Sequence, residues 1–233
     1  MPPVRPRNDP AQYDDLAGEW WDPAGPFAAL HWLAAERGAL IPEATRPGAC
    51  LVDLGCGAGL LAPHVPAGYE HHGVDLGAAA LAHAAEHGLI THRADVTAVP
   101  LEDGCADVVI AGELLEHVPD VEGVVAEAVR LLRPGGTVVL DTIAPGWWAE
   151  LSLVRVGERL PGGPPPRIHD PELFVAPARL RRAFTAGGVA LTLRGLRPHA
   201  RDYLRFLRDR RRRVRFVPVR SLSALYQGWG IKP

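Results

Sequence analysis

Two groups of residues in this chain are of types, and at spacings, that could do chemistry. The first is Asp53-Leu54-Gly55-Cys56-Gly57-Ala58-Gly59, which follows the apolar run Cys50-Leu51-Val52. An apolar run that meets a glycine at every second position reads as a buried strand entering a tight turn, with a helix starting just after it. Gly55, Gly57 and Gly59 carry no Cβ, so backbone N–H groups at the helix start can approach a ligand closely. Asp53 puts a carboxylate at the strand end, where it would meet a cationic or donor-rich ligand. Turns of this kind also serve simple packing, so the motif alone leaves a nucleoside site and a structural turn both open. The next strand, Glu70 to Val74, runs into Asp75, and an acid there is placed to accept hydrogen bonds from ribose hydroxyls. The glycine spacing is not the dinucleotide fingerprint, and no Gly-Lys-Ser/Thr phosphate loop is present, which disfavours a dinucleotide or ATP. Asp95, after a third strand at Leu89 to Arg93, either accepts from an adenine amino group or caps its own turn.

The second group is Glu113, Glu116 and His117. On a helix these positions, i, i+3 and i+4, share one face. Two carboxylates and an imidazole there could hold a hard or borderline divalent ion. Such an ion suits an ortho-dihydroxy aromatic, because it lowers the phenol pKa and orients two oxygens at once. The alternative is that Glu113 hydrogen-bonds a cofactor while His117 braces the turn before Pro119. His169 is either an acid/base residue of the pocket or a cap for the turn before Pro171. Lys232 is the only lysine, one residue from the C-terminal end of the sequence, and arginine stays protonated, so neither a lysine nor an arginine general base is expected.

The elements that must position these residues follow from alternation. Short apolar runs at 50–54, 70–74, 89–93, 106–111 and 137–142 alternate with helical stretches at 77–87 and 121–132. A further helix is expected at 177–186 and a strand at 189–196. This is an α/β pattern, a mostly parallel sheet covered on both faces, with ligands outside the carboxyl ends of its strands. Residues 1–12 are expected to be disordered, and 13–233 to form one domain. The paired Trp20 and Trp21 read as a packing plug or as a wall of the pocket. His31 and Arg37 follow on a helix, where solvent-facing side chains are the default. The Pro/Gly-rich connection over roughly 145–175 reads as a lid.

Composition bounds the rest. A 233-residue chain with 47% hydrophobic content can bury one good core, and a formal charge of −2 argues against general nucleic-acid binding. No apolar run is long enough to span a membrane, and the polar N-terminus does not read as a secretory signal. Cys50, Cys56 and Cys105 show no metal spacing and suit a reducing cytoplasm. The arginine-rich segment 201–216 reads as a solvated helix face or as a peripheral contact with anionic lipid, at about 1 kcal/mol per basic residue. Phe206, Leu207, Val214 and Phe216 give that segment an apolar side. No stacking platform for nucleic acid accompanies the charge.

The glycine turn resembles motif I of the class I S-adenosylmethionine-dependent methyltransferases, with Asp75 at the ribose position. Beyond it, Tyr13-Asp14-Asp15-Leu16-Ala17-Gly18-Glu19-Trp20-Trp21-Asp22-Pro23, Leu30-His31, Val74-Asp75-Leu76-Gly77, Glu113-Leu114-Leu115-Glu116-His117-Val118-Pro119-Asp120, Pro134-Gly135-Gly136, Thr142-Ile143 and His169-Asp170 stand in the order found in one family. The chain is similar over about 13–196 to the ubiquinone-biosynthesis O-methyltransferases, which methylate polyprenylated catechols and demethylubiquinols. That resemblance implies a Rossmann-like, doubly wound sheet of seven strands with the last antiparallel, and S-adenosylmethionine as methyl donor. It implies that Arg37, Gly55, Asp75 and Gly112 are cofactor positions, beside Asp53, Gly57, Gly59 and Asp95 from the motif reading. It also implies that Glu113, Glu116 and His117 hold a divalent cation such as Mg, with His169 and His117 as catalytic candidates. The expected reaction is O-methylation of a phenolic or catechol hydroxyl, possible acceptors including a prenylated quinone precursor. C- or N-methylation of a specialised metabolite is the alternative, and a non-catalytic cofactor-binding module a third reading. The chain departs from the family after Gly195-Leu196, where Arg197-Pro198-His199 and the arginine run replace the usual Asn-Pro and glycine connection. Its Ala/Arg/Pro/Gly bias resembles a GC-rich bacterial genome, and the resemblance therefore speaks more for the reaction than for the acceptor.

Overall fold

In the computed structural model, which describes residues 5–233, the apolar runs assemble into one sheet. Strands β1 (Ala49–Leu54), β2 (Tyr69–Asp75), β3 (Ile90–Arg93), β4 (Ala106–Gly112) and β5 (Leu132–Ile143) pair in parallel in the order β3-β2-β1-β4-β5. Strands β6 (Thr192–Pro198), β7 (Phe216–Val219) and β8 (Leu225–Ile231) extend it as β8-β6-β7, with β8 antiparallel to β5. The sheet therefore has eight strands rather than the expected seven, and the strand beside β5 is antiparallel as expected. The additional strand, β7, is a short four-residue edge strand beside β6. The chain returns from the arginine run and pairs Phe216 with Pro198 through Val219 with Gly195.

Helices α1 (Ala11–Asp15), α2 (Ala28–Gly38), α3 (Ala78–Glu86), α4 (Val121–Leu131), α5 (Trp147–Ala149), α6 (Pro177–Ala186) and α7 (Ala200–Arg208) cover the sheet and its ends. Asp120 starts α4 by accepting from the Gly123 N–H at 2.8 Å, and Pro177 opens α6, where a missing N–H costs nothing. The 145–175 connection is largely helical: α5 runs into a π-helix at Glu150–Val156, followed by single turns at Gly157–Arg159 and Pro171–Leu173.

Strand parity sorts the buried residues between two faces. Val52, Leu54, Val109, Ala111, Val138 and Leu140 pack on α4 and α6 through Val124, Leu131, Leu180 and Phe184. Leu51, Val108, Ile110 and Val139 face the other way, onto Trp20, Phe27 and Ala34. Asp53 and Asp141 share the parity of Leu51 and Val139, so both carboxylates lie on the face covered by α2.

Two readings are corrected here. Residues 1–4 lie outside the described residues, but 5–12 are tied down: Arg7 pairs with Glu158 at 2.9 Å, the Asn8 N–H donates to the Arg167 carbonyl at 3.1 Å, and α1 begins at Ala11. These partners lie far along the chain, which is why local composition does not report them. In the 201–216 segment, Phe206 and Val214 point inward onto Ala28 and Trp32, leaving Leu204 and Leu207 as its outward apolar residues. No helix among the described residues is long and apolar enough to cross a membrane. Lys232 donates its Nζ protons to the carbonyls of Val129 and Leu132, at 2.9 and 2.7 Å.

Gly195 leaves room for the turn before β8, since a Cβ there would overlap the Ser221 carbonyl oxygen. Gly195→Ala is expected to cost about 1–3 kcal/mol, the usual range for overpacking, in denaturant unfolding. It should also raise amide exchange in β7 ahead of β1.

Candidate active site

The glycine turn is built on left-handed backbone, with φ of 68° at Gly55, 51° at Gly57 and 79° at Gly59, conformations that other residues adopt at a cost. The N–H groups of Gly55 and Cys56 donate to the Val74 carbonyl at 2.8 and 3.1 Å. The Gly57 and Gly77 N–H groups hold the two oxygens of Asp75, at 2.9 and 2.8 Å. Burial raises the Asp75 carboxyl above its ordinary value, and these backbone donors oppose the rise. The expected helix after the turn is a single 3-10 turn at Ala62–His64, because Pro63 and Pro66 remove the donors a longer helix needs. The anion-binding helix start is therefore absent. The carboxyl ends of β1 and β2 instead carry Asp53 and Asp75, beneath the aromatic residues described below.

Arg37 is not solvent-facing but buried. Its Nε and Nη2 donate to Asp141 Oδ2 and Oδ1 at 2.8 and 2.7 Å, a two-pronged pair. Burial disfavours the cation, but Asp141 outweighs it and the guanidinium is held firmly protonated. The guanidinium lies directly on Gly112, where any side chain would overlap it. The carboxyl ends of β1, β2 and β4 thus gather Asp53, Gly55, Gly57, Gly59, Asp75, Gly112 and Arg37. Asp53 is buried, with His71 Nε2 at 3.5 Å. Asp95 does not join them: exposed, it accepts from the Thr97 N–H and hydroxyl at 2.8 and 2.7 Å and caps its own turn.

Glu113, Glu116 and His117 do not share a helical face. Glu113 has a φ of 50° where β4 turns out of the sheet, and only Leu115–His117 form a 3-10 turn before Pro119. The fold assembles a different trio: the ligand atoms of Glu116, His117 and His169 lie within 4.8 Å of one another. Glu116 Oε2 accepts from the Thr142 hydroxyl at 2.6 Å. Its Oε1, Glu113 Oε1 and His169 Nδ1 are buried without a protein hydrogen-bond partner, an exception among buried polar atoms that a bound ligand would explain.

Burial lowers the His117 imidazole to about 4, and burial together with His117 and Arg7 lowers His169 well below its usual range. Both rings are therefore neutral near pH 7. His117 donates from Nδ1 to Asn8 Oδ1 at 2.6 Å, which leaves Nε2 to accept from the Tyr13 hydroxyl at 3.2 Å. Asn8 Nδ2 also donates to the His117 carbonyl at 3.0 Å, and Arg7 Nη1 to the His169 carbonyl at 2.8 Å. The N-terminal segment is thus part of the site.

An aromatic stack closes the crevice from above. Trp20 lies 4.2 Å from Phe27 and 5.8 Å from Tyr13, ring centre to ring centre, and its edge covers Gly57. Trp21 donates to the Ala58 carbonyl at 3.0 Å and stacks on His87. Sequence reasoning missed Asp141, Thr142, Asn8 and Tyr13 as site residues. Asp141 was detectable as the one acid in the apolar run Val138 to Ile143; the contacts of Asn8 and Tyr13 carry no local signal.

Comparison with known proteins decides what this crevice belongs to. Residues 52–140 match a methyltransferase-domain family model. A ubiquinone biosynthesis O-methyltransferase from Cupriavidus pinatubonensis is 36% identical over 207 residues, covering 83% of each chain. The chain belongs to the ubiquinone biosynthesis O-methyltransferase family. A second member, from Methylococcus capsulatus, is 38% identical over 189 residues, 77% of this chain and 80% of that one. Among solved structures, an S-adenosylmethionine-dependent methyltransferase from Thermotoga maritima, described as a possible histamine N-methyltransferase, superposes with a TM-score of 0.66. At 18% identity, covering 95% of this chain and 97% of that one, it shows the fold. This chain is an S-adenosylmethionine-dependent methyltransferase.

Burial pushes Glu116 up to about 7 from the ordinary 4.5. An acid raised on folding holds its proton more tightly in the native state, so its stabilising share is lost as pH climbs through that interval. In metal-free buffer, wild type is expected to lose stability relative to Glu116→Gln between pH 4.5 and about 7 and to run level above it. Denaturant midpoints of both proteins across that range give the difference, and a gap independent of pH would contradict it.

Proposed function

We propose that this methyltransferase acts on the oxygen of a phenol or catechol, as the names of its relatives suggest, with a prenylated quinone precursor as the acceptor class. The observation that carries the reading is the neutral His117–His169 pair beside Glu116, just past the carboxyl end of β4. S-adenosylmethionine supplies a methyl group already activated as a sulfonium, so alignment and acceptor deprotonation remain for the protein. In this reading Asp75 takes the ribose hydroxyls, Arg37 the tail carboxylate and Asp53 the tail ammonium. Gly55, Gly57 and Gly59 in the turn, and Gly112 at the end of β4, let Leu114, Trp20, Ala84 and Arg37 pack closely around the site. Tyr13 already offers a phenolic hydroxyl to His117 Nε2, at a distance suited to an acceptor's hydroxyl. With its Nδ1 proton committed to Asn8, His117 is set to receive a proton at Nε2, and His169 lies stacked beside it at 5.3 Å between ring centres.

A divalent cation is the alternative at the same place: Glu116, His117 and His169 would hold it, with His117 Nε2 then serving as a ligand in place of a base. When bound, it would lower the acceptor's phenol pKa and fix two neighbouring oxygens. The unpartnered oxygens of Glu113 and Glu116 and the free Nδ1 of His169 support this. A peripheral contact with anionic lipid through 201–216 suits a prenylated acceptor. Leu204 is 56% exposed among the arginines of α7, and Trp147, 74% exposed, is a second apolar residue on the surface.

Purified protein, incubated with S-adenosylmethionine and a simple catechol, is expected to give the O-methyl ether by mass and NMR analysis. A C- or N-methyl product from other acceptors, with catechols inert, would overturn the assignment. Glu116→Ala is expected to abolish metal-dependent turnover while S-adenosylhomocysteine affinity stays within about twofold, since its role is toward the acceptor. Undiminished turnover in chelator would remove the cation from the mechanism.

A further inference from the structure

We propose that Asp141 is a positioning residue that aims Arg37 at the carboxylate of the methyl donor's amino-acid tail. This rests on the reading of Arg37 as the partner of that tail. Asp141 is fully buried at the carboxyl end of β5, opposite Gly112 of β4. A lone acid buried in such a strand is costly unless paired, and Asp141 is paired three times. Its two oxygens take Nε and Nη2 of Arg37, at 2.8 and 2.7 Å, and Oδ1 also accepts from the Glu113 N–H at 3.0 Å.

The geometry decides which edge of the guanidinium is left for a ligand. Arg37 has five N–H donors in one plane, and Asp141 consumes the side edge formed by Nε and one Nη2 proton. The end edge, Nη1 with the second Nη2 proton, keeps two parallel donors, the arrangement a second carboxylate accepts in bidentate form. Gly112 fixes the plane, because the guanidinium rests on its backbone. Asp141 fixes the rotation within that plane. Neither residue needs to touch the donor.

Removing Asp141 does not leave Arg37 free for the ligand. The next carboxylates acting on its charge are Asp53 and Glu113, and Glu113 Oε1 is buried without a partner. Without Asp141 the rotation of the guanidinium is no longer set, and these carboxyl groups compete with a ligand for it. The competing explanation is that the Arg37–Asp141 pair only tethers α2 to β5, in which case its loss would affect every ligand of the crevice alike.

Two ligands separate these explanations by calorimetry. S-adenosylhomocysteine carries the amino-acid tail, whereas 5′-methylthioadenosine keeps the nucleoside and thioether without it. For Asp141→Asn, affinity for S-adenosylhomocysteine is expected to fall at least about tenfold, the scale on which a lost orienting partner acts, while 5′-methylthioadenosine stays within about twofold. Arg37→Met should show the same selective loss, and adding Asp141→Asn to it should change the ratio no further. If both ligands weaken together in Asp141→Asn, or neither does, the proposal is overturned. If Arg37→Met shifts the ratio and Asp141→Asn does not, the proposal fails while the assignment of Arg37 stands. If Arg37→Met leaves the ratio unchanged, the assignment of Arg37 fails first and Asp141 with it. Should the asparagine variant not fold, Asp141→Glu replaces it, keeping the charge but moving the carboxylate outward by a methylene. It is expected to shift the ratio the same way, and an unchanged ratio would overturn the proposal.

Discussion

Everything at the carboxyl end of the sheet depends on one buried ion pair. Arg37 comes from α2 and Asp141 from the middle of the sheet, and neither charge has water to fall back on. Separately, each would cost several kcal/mol to bury, on the order seen when one partner of a buried pair is removed. Together they hold α2 against β5, hold the Glu113 turn through its N–H, and leave no room for a side chain at Gly112. A hydrophobic pair could fasten the same elements with less desolvation. What the ion pair adds is a cation of fixed orientation at the carboxyl end of the sheet, which apolar packing cannot supply.

Above that end the N-terminal segment, residues 5–27, acts as a roof held from several directions. Arg7 reaches Glu158 and the His169 carbonyl, Asn8 brackets His117, and Trp20, Tyr13 and Phe27 stack over the glycine turn. Beneath it lie carboxylates and an imidazole lacking partners, so the interior is polar and incompletely satisfied while its cover is aromatic. A donor with a charged tail and a flat base, and an acceptor with a phenolic ring, match that division. The roof's aromatic rings are rigid and lose little conformational freedom on ordering.

The parts of this site legible in the sequence are those with local causes. The strands from β1 to β5 announce themselves as apolar runs between turns, and the left-handed glycines as a repeat no other residue tolerates as well. The acid ending β2 follows from its position. What was not legible depends on distant partners. Glu113 takes a left-handed conformation without being glycine, held by Asp141 through its N–H, which breaks the helical face its spacing suggests. His169 enters the metal-competent trio from the far side of the 145–175 connection. β8 contains Gln227, Gly228 and Gly230, a weak strand signal, and is fixed by register with β5 and by Arg194 lying 5.2 Å over Trp229.

The single lysine has a consequence outside catalysis. Its amine is spent on two carbonyls that terminate α4 and begin β5, while arginine carries nearly all of the positive charge. Reagents and enzymes that acylate, cross-link or tag primary amines therefore find almost nothing to modify on this surface. A probe that did reach Lys232 would break those two hydrogen bonds and report on the junction of α4 and β5.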